Sequence, residues 1–200
     1  MPTKSFFLKN NMEEVAVRHK ILGIDPGTNV MGYAILNTHL NQSEVEVISV
    51  IQMKKLTDHY AKLKFIYEKM NALIEQYHPD ILAIEAPFYG KNVQSMLKLG
   101  RAQGIVIAAC LHAGMDVYEY EPRKIKQSIT GNGSAAKEQV AAMLCHMYPL
   151  KDSIEYLDAT DALAAAVCHH LQHRVVVGGG KKFNDWKSFI ANNEARVVGR

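Results

Sequence analysis

Between Ile21 and Gly32 the chain reads ILGIDPGTNVMG, an apolar run that stops abruptly at an acid, a proline and a glycine. Ile21 to Ile24 has the length of a buried strand, and the turn formers behind it mark where the strand meets solvent. Pro26 has no backbone donor and cannot continue a central ladder. Gly27 permits a sharp turn with the backbone close to whatever sits there. Asp25 is therefore expected at a strand tip beside open backbone, a setting that suits a magnesium ion or a phosphate.

The remaining pattern supplies partners for this strand. Val30 to Leu36 reads as a second strand in a hairpin with the first, Asn37 to Glu44 as a polar turn, and Val45 to Val50 as a third strand of an antiparallel meander. Thr57 to Tyr77 has helical periodicity and ends at His78-Pro79-Asp80. Ile81 to Glu85 then repeats the first motif, an apolar strand closed by an acid. A strand, a helix and a strand imply a crossover that lays the second strand parallel to the first, so Asp25 and Glu85 share one end of the sheet. Val93 to His112 is a long helix whose apolar positions run around most of its surface, which requires either burial or a second subunit against its outer side. Met115 to Tyr120 is a short strand. Pro122 suits the first turn of a helix carrying Arg123, Lys124 and Lys126. After the turn Thr130 to Ser134, Ser134 is a candidate cap for a helix from Ala135 to Met147. The last helix begins near Leu157, where Asp158 and Asp161 are three apart and share a face.

Four acids are thus expected together: Asp25 and Glu85 at strand tips, Asp158 and Asp161 at a helix start. Grouped carboxylates raise one another's pKa and need cations. Oxygen-only ligands favour magnesium or manganese over zinc, and two such ions clamp a scissile phosphate. The chemistry indicated is hydrolysis of a phosphodiester. The other bulk properties set limits. An apolar content of 48% allows a substantial core, and a net charge of +3 only weakly favours a polyanionic partner. Cys110, Cys145 and Cys168 are an odd set without a zinc spacing, as in a reducing compartment. No apolar stretch is long enough to span a membrane, and the first twenty residues lack a signal-peptide core. The expectation is a soluble, cytoplasmic protein with a loose leader (residues 1–19), a nuclease domain (20–173) and a basic tail (174–200) in which order is doubtful. Such a tail contacts nucleic acid or is simply a solvated end.

Five stretches in order carry a resemblance: GIDPGTNVMGYAIL, LAIEAPFYGKNVQSMLKLGRAQG, Tyr120 to Lys126, GNGSAAKEQV and DATDALAAAVCHH. From about Ile21 to His173 they are similar to the RuvC family of crossover junction endodeoxyribonucleases, within the ribonuclease H-like superfamily. The resemblance implies an α/β fold with a central mixed five-stranded sheet flanked by helices. It puts the family's metal-binding carboxylates on Asp25, Glu85, Asp158 and Asp161, the four already reached from spacing. It places a junction-probing aromatic on Phe88 and DNA contacts on Lys91, Arg123, Lys124, Lys126 and Lys137. It further implies two Mg2+ ions per site, with Mn2+ able to substitute, and a homodimer with Val93 to His112 near its interface. The two sites would make paired, symmetric cuts in a four-way (Holliday) DNA junction, leaving 5′ phosphates and 3′ hydroxyls. RuvA and RuvB, the branch-migration proteins, are the implied partners.

Plainer roles stand beside these. Asp158 alone could be a helix cap, Phe88 a small hydrophobic anchor, and Arg123, Lys124 and Lys126 a solvated helix face. His169, His170 and His173 lie two to three turns beyond Asp161, where partial burial or exposure accounts for them better than metal binding. Tyr118 and Tyr120 are most simply strand residues. Two other functions share the pattern: ribonuclease H-type cleavage of RNA–DNA hybrids, and a non-catalytic junction-binding module, which loss of a carboxylate would mark. An actin-like ATP-binding protein needs a second lobe for which 200 residues are too few.

Overall fold

The computed structural model describes residues 18–40, 42–87, 92–150 and 157–173. β1 (Arg18–Asp25), β2 (Val30–His39) and β3 (Gln42–Gln52) form the expected meander. β4 (Ile81–Glu85) lies parallel to β1, and β5 (Asp116–Tyr120) parallel to β4, giving the mixed order β3-β2-β1-β4-β5. β1 takes in Arg18 and His19, the last two residues assigned to the leader. The polar turn expected over Asn37 to Glu44 is much shorter. Asn37, Thr38 and His39 pair with Glu44, Ser43 and Gln42, because polar side chains are tolerated where a ladder runs out to solvent, and Leu40 turns the chain at φ 55°.

Helix α1 (His59–Tyr77) starts two residues later than its periodicity suggests, because Asp58 caps it by accepting from Ala61 N at 2.7 Å. It packs on one face of the sheet together with α2 (Val93–His112), through Ile66, Met70, Ala102 and Val106 against Leu22, Ile24 and Leu82. The outer side of α2 is a stripe of Val93, Leu97, Gly100, Gly104, Ala108 and Leu111, all exposed. Val93, Leu97 and Leu111 are 64%, 53% and 57% exposed, so burial accounts for only one side of this helix.

α3 (Pro122–Thr130), α4 (Lys137–Met147) and α5 (Leu157–Gln172) cover the other face. Pro122 opens α3 as expected. Ser134 does not cap α4, which begins three residues later. Gln139 Oε1 reaches back to Ala136 N at 2.9 Å, while Ser134 N donates to Asn132 Oδ1 inside the preceding turn. α5 is buried from Ala159 to His170, apart from Asp161 in its first turns. It approaches the sheet so closely that a Cβ on Gly23 would stand 2.1 Å from Ala162 O, and one on Gly32 1.9 Å from Asp158 O. Glycine at these two strand positions is what lets the helix lie on the backbone itself.

Candidate active site

Asp25 and Glu85 are the last residues of the parallel neighbours β1 and β4, so the sheet brings them to one end together. Asp158 and Asp161 arrive from the first turns of α5, where the helix dipole favours carboxylates. Gly32 pairs with Asp25 across the hairpin, and the contact of its bare Cα with the Asp158 carbonyl fixes how near the helix start comes to the strand tip. One carboxylate oxygen each from Asp25, Asp158 and Asp161 lies within 4.8 Å of the others. Glu85 stands just outside this trio but is coupled to it: its charge acts on Asp25, and that of Asp161 acts on Glu85. Gln103 steadies the Glu85 strand tip, its Nε2 donating to Glu85 O at 3.3 Å.

The electrostatics are those of a cation site. Burial, then the charges of Asp161 and Glu85, push the Asp25 carboxyl up to about 8; Lys137 opposes this and Asp158 adds to it. Burial and Asp161 likewise raise Glu85, against Lys137 and Lys126. Lys137 forms an ion pair with Asp161. Burial alone would lower the Lys137 pKa, but the hydrogen bond and charge of Asp161 outweigh it and the net shift is upward. The donors are carboxylate oxygens without histidine or cysteine among them. Such a set fits a hard divalent ion.

Of the expected DNA contacts, Arg123, Lys126 and Lys137 line a cavity of about 660 Å³ together with Glu85, Pro87 and Asp161. Lys124 does not. One position along α3 it points elsewhere, and its charge is felt by Cys168. Phe88 and Lys91 lie outside the described residues. The histidines stand apart from the carboxylates as expected and His173 is exposed, but two of them are buried more deeply than expected. His169 and His170 are buried, and His169 Nδ1 and Tyr120 Oη share a hydrogen bond of 2.7 Å while the ring stacks on His173 at 4.1 Å. Burial and the neighbouring His173, His19 and His170 hold His169 down at about 4, and its Nδ1 is taken up by Tyr120 at a place apart from the Asp25, Asp158 and Asp161 cluster. Tyr120 is thus more than a strand residue. Gln103, Gly23 and Gly32 carry sequence signals of their own, a polar side chain on an apolar helix face and glycines inside strands.

The family model for RuvC, crossover junction endodeoxyribonuclease, matches residues 21–169. A crossover junction endodeoxyribonuclease RuvC from Bacteroides fragilis is 53% identical over 180 residues, covering 88% of this chain and 95% of its own. The corresponding protein of Cytophaga hutchinsonii is 52% identical over 177 residues, covering 88% and 87%. Among solved structures, T. thermophilus RuvC in complex with Holliday junction substrate superposes with a TM-score of 0.72 at 28% identity, over 78% of this chain and 95% of that one.

Proposed function

The chain belongs to the RuvC family, it is a metal-dependent endonuclease selective for four-way DNA junctions, and we propose that it resolves them by paired, symmetric hydrolysis at the carboxylate cluster. The observation that carries the chemistry is the convergence of Asp25, Asp158 and Asp161 within 4.8 Å, with Glu85 beside them and a basic cavity wall opposite.

In this reading Asp25, Asp158 and Asp161 hold the divalent ions, and Glu85 completes the ligand set from the neighbouring strand. Two magnesium ions, for which manganese can substitute, supply when bound both the activation of water and the stabilisation of the departing 3′ oxygen. Lys137 neutralises Asp161 and lowers the pKa of Asp25 and Glu85, favouring the charged carboxylates that metal needs. Arg123 and Lys126 hold the phosphates beside the cut from the cavity wall. Products carry 5′ phosphates and 3′ hydroxyls. Lys91 and Lys124 add phosphate contacts, and stacking by Phe88 offsets part of the cost of opening the junction centre.

Symmetric cutting needs two sites in fixed relation, and the exposed stripe from Val93 to Leu111 on α2 supports a homodimer seam. Its glycines and alanine permit close approach, and its leucines and valine supply apolar area. RuvA and RuvB are the proposed partners, and the cytoplasm the proposed compartment. No helix among the described residues is long and apolar enough to cross a membrane. The test is cleavage of a mobile four-way junction with magnesium, beside linear duplex and an RNA–DNA hybrid, with Asp158→Asn as control. Ligatable paired nicks only in the junction, lost in the variant while binding persists, are expected. Hybrid cleavage instead would move the protein to a ribonuclease role, and binding without cutting would leave a recognition module.

A further inference from the structure

Among the described residues the basic wall formed by Arg123, Lys126 and Lys137 stands on one side of the acids, the face covered by α3, α4 and α5. The same end of the sheet carries a second set of lysines, beside the edge strand β3 and on α1 of the opposite face. β2 leaves that end at Val30 and β3 returns to it at Gln52, so Lys54 and Lys55 follow β3 level with the turn that leaves Asp25. The two segments are tied together: Met53 N donates to Asn29 O at 2.8 Å, and Leu56 N closes the Lys54-Lys55 turn on Met53 O at 3.0 Å. From α1, Lys62 Nζ donates to Asn29 Oδ1 at 2.7 Å. The Lys54-Lys55 turn and the Lys62 head group are thus both tied to Asn29, four positions beyond Asp25, the turn through the backbone of Met53 and Lys62 through its side chain.

Their charges are not spent inside the protein. Lys54 and Lys55 are exposed and Lys62 is half-buried. Among the described residues the ion pairs are Lys20–Glu46, Lys64–Glu68 and Lys137–Asp161, none of which uses them. The nearby Asp58 already accepts from Ala61 N in capping α1. Surface lysines of one sign repel, and Lys62 gives up solvent on part of its surface to bond a neutral amide. Both facts are explained if an anion spans the group. A nucleic-acid strand with one phosphate over the acids carries further phosphates away in both directions. The α3–α4 wall meets it on one side, and the lysines around Asn29 stand where it leaves on the other.

We propose that Lys54, Lys55 and Lys62 form a second phosphate-binding bank, which holds the DNA arm leaving the cut site on the β3–α1 side. Asn29 is the positioning residue that fixes the Lys62 head group relative to Asp25. The inference rests on the junction-nuclease function proposed above.

The experiment is binding of the full-length protein to a fluorescent, immobile four-way junction without divalent metal, at salt from 50 to 200 mM, for wild type, K54Q/K55Q, K62Q and K62R. Each lost phosphate contact should reduce the slope of log affinity against log salt by roughly 0.9, so that affinity falls roughly 3.5-fold less per contact across that range. K62R should restore the K62Q slope, and the exposed pair should leave the melting temperature unchanged. An unchanged slope in either glutamine variant overturns the proposal. So does a loss of affinity with the wild-type slope, which would mark a bracing role. Failure of the wild type to bind the junction, or preference for a hybrid, would strike at the nuclease function itself. Normal wild-type binding with unaltered variants would sink the second bank alone.

Discussion

Gly32→Ala tests how the site is assembled. Gly32 sits opposite Asp25 in the β1–β2 ladder, and a Cβ there would stand 1.9 Å from the carbonyl oxygen of Asp158. Both atoms are backbone-fixed, so no side chain can swing aside. Relief to 3.0 Å, the closest distance real Cβ atoms tolerate, demands about 1.1 Å of movement between β2 and the start of α5. That movement carries Asp158 away from Asp25 in a cluster whose oxygens span 4.8 Å. Overpacking of this kind costs about 1–3 kcal/mol of stability, and a misplacement of about 1 Å costs on the order of 10²-fold in rate. Junction cleavage should fall by roughly that factor, with a raised magnesium requirement and junction binding in metal-free buffer nearly intact. Denaturant midpoints and magnesium titrations of the cleavage rate read the two effects separately. Wild-type cleavage at wild-type magnesium would refute the view that this glycine sets the spacing of the carboxylates.

Asp25 gives a pH dependence with a definite sign. Its folded-state pKa of about 8 lies above the ordinary 3.8, so between these values the folded, metal-free protein binds more protons than the unfolded chain. Its contribution to stability is fully present below about 3.8 and is lost as pH rises towards 8, with a limiting slope of about 1.4 kcal/mol per pH unit, reduced in practice by solvent. Urea denaturation in chelator from pH 5 to 8 should show this slope in the wild type and a flatter one in Asp25→Asn; parallel curves would count against it. Leu97→Glu with Leu111→Glu should convert a dimer to monomers in sedimentation and abolish paired cutting, and an unchanged mass would remove α2 from the seam. Tyr120→Phe leaves the buried His169 Nδ1 without its partner and should cost about 1–3 kcal/mol in denaturation; an unaltered midpoint would mean another group takes its place. Chelation of divalent ions should leave the amides of α5 protected from exchange, whereas their loss would show that metal holds the helix in place.

Much of this architecture was legible because the decisive signals are local. An apolar run stopped by an acid and a turn former occurs twice, at Asp25 and Glu85, and the intervening helix makes the two strands parallel neighbours. Spacing of three put Asp158 and Asp161 on one helical face. What failed to show was set by contacts distant in sequence. Ser134 looks like a cap, but Ala135 packs into the core and α4 starts only after it, so Gln139 does half the capping instead. His169 reads as partly buried or exposed because its helix turn is rich in polar residues, yet Tyr120 from β5 reaches it and lets it be fully buried. The Asn37 to Glu44 stretch looks like loop because polar composition says nothing of backbone pairing. Lys124 follows Arg123 directly in sequence, but the rotation of about 100° per residue keeps it off the cavity wall that Arg123 and Lys126 line, so any phosphate it meets lies beyond that wall.

The energetic problem of the site is to hold carboxylates together whether or not a cation is present, and α5 answers it. Asp25 and Asp158 are 133 positions apart in the chain, and in the metal-free state burial, then the charges of Asp161 and Glu85 and more weakly that of Asp158, push the Asp25 carboxyl up to about 8. Against that stands the rest of the helix. Leu163 and Val167 are fully buried, each worth about 1.5–3 kcal/mol, and a run of alanines packs on β1 and β2 with little side-chain entropy to lose. Two residues thus supply an energy comparable to that of several pKa units, before the alanines contribute anything. The helix is anchored by its apolar length, and its acidic first turn is carried to the strand tips. Protonation of Asp25 and the ion pair of Lys137 with Asp161 relieve the remaining repulsion, so the geometry stands ready in advance of the ion. A divalent cation would then be held by Asp25, Asp158 and Asp161 at a preformed site, in place of the Asp25 proton, without having to draw a helix onto a sheet.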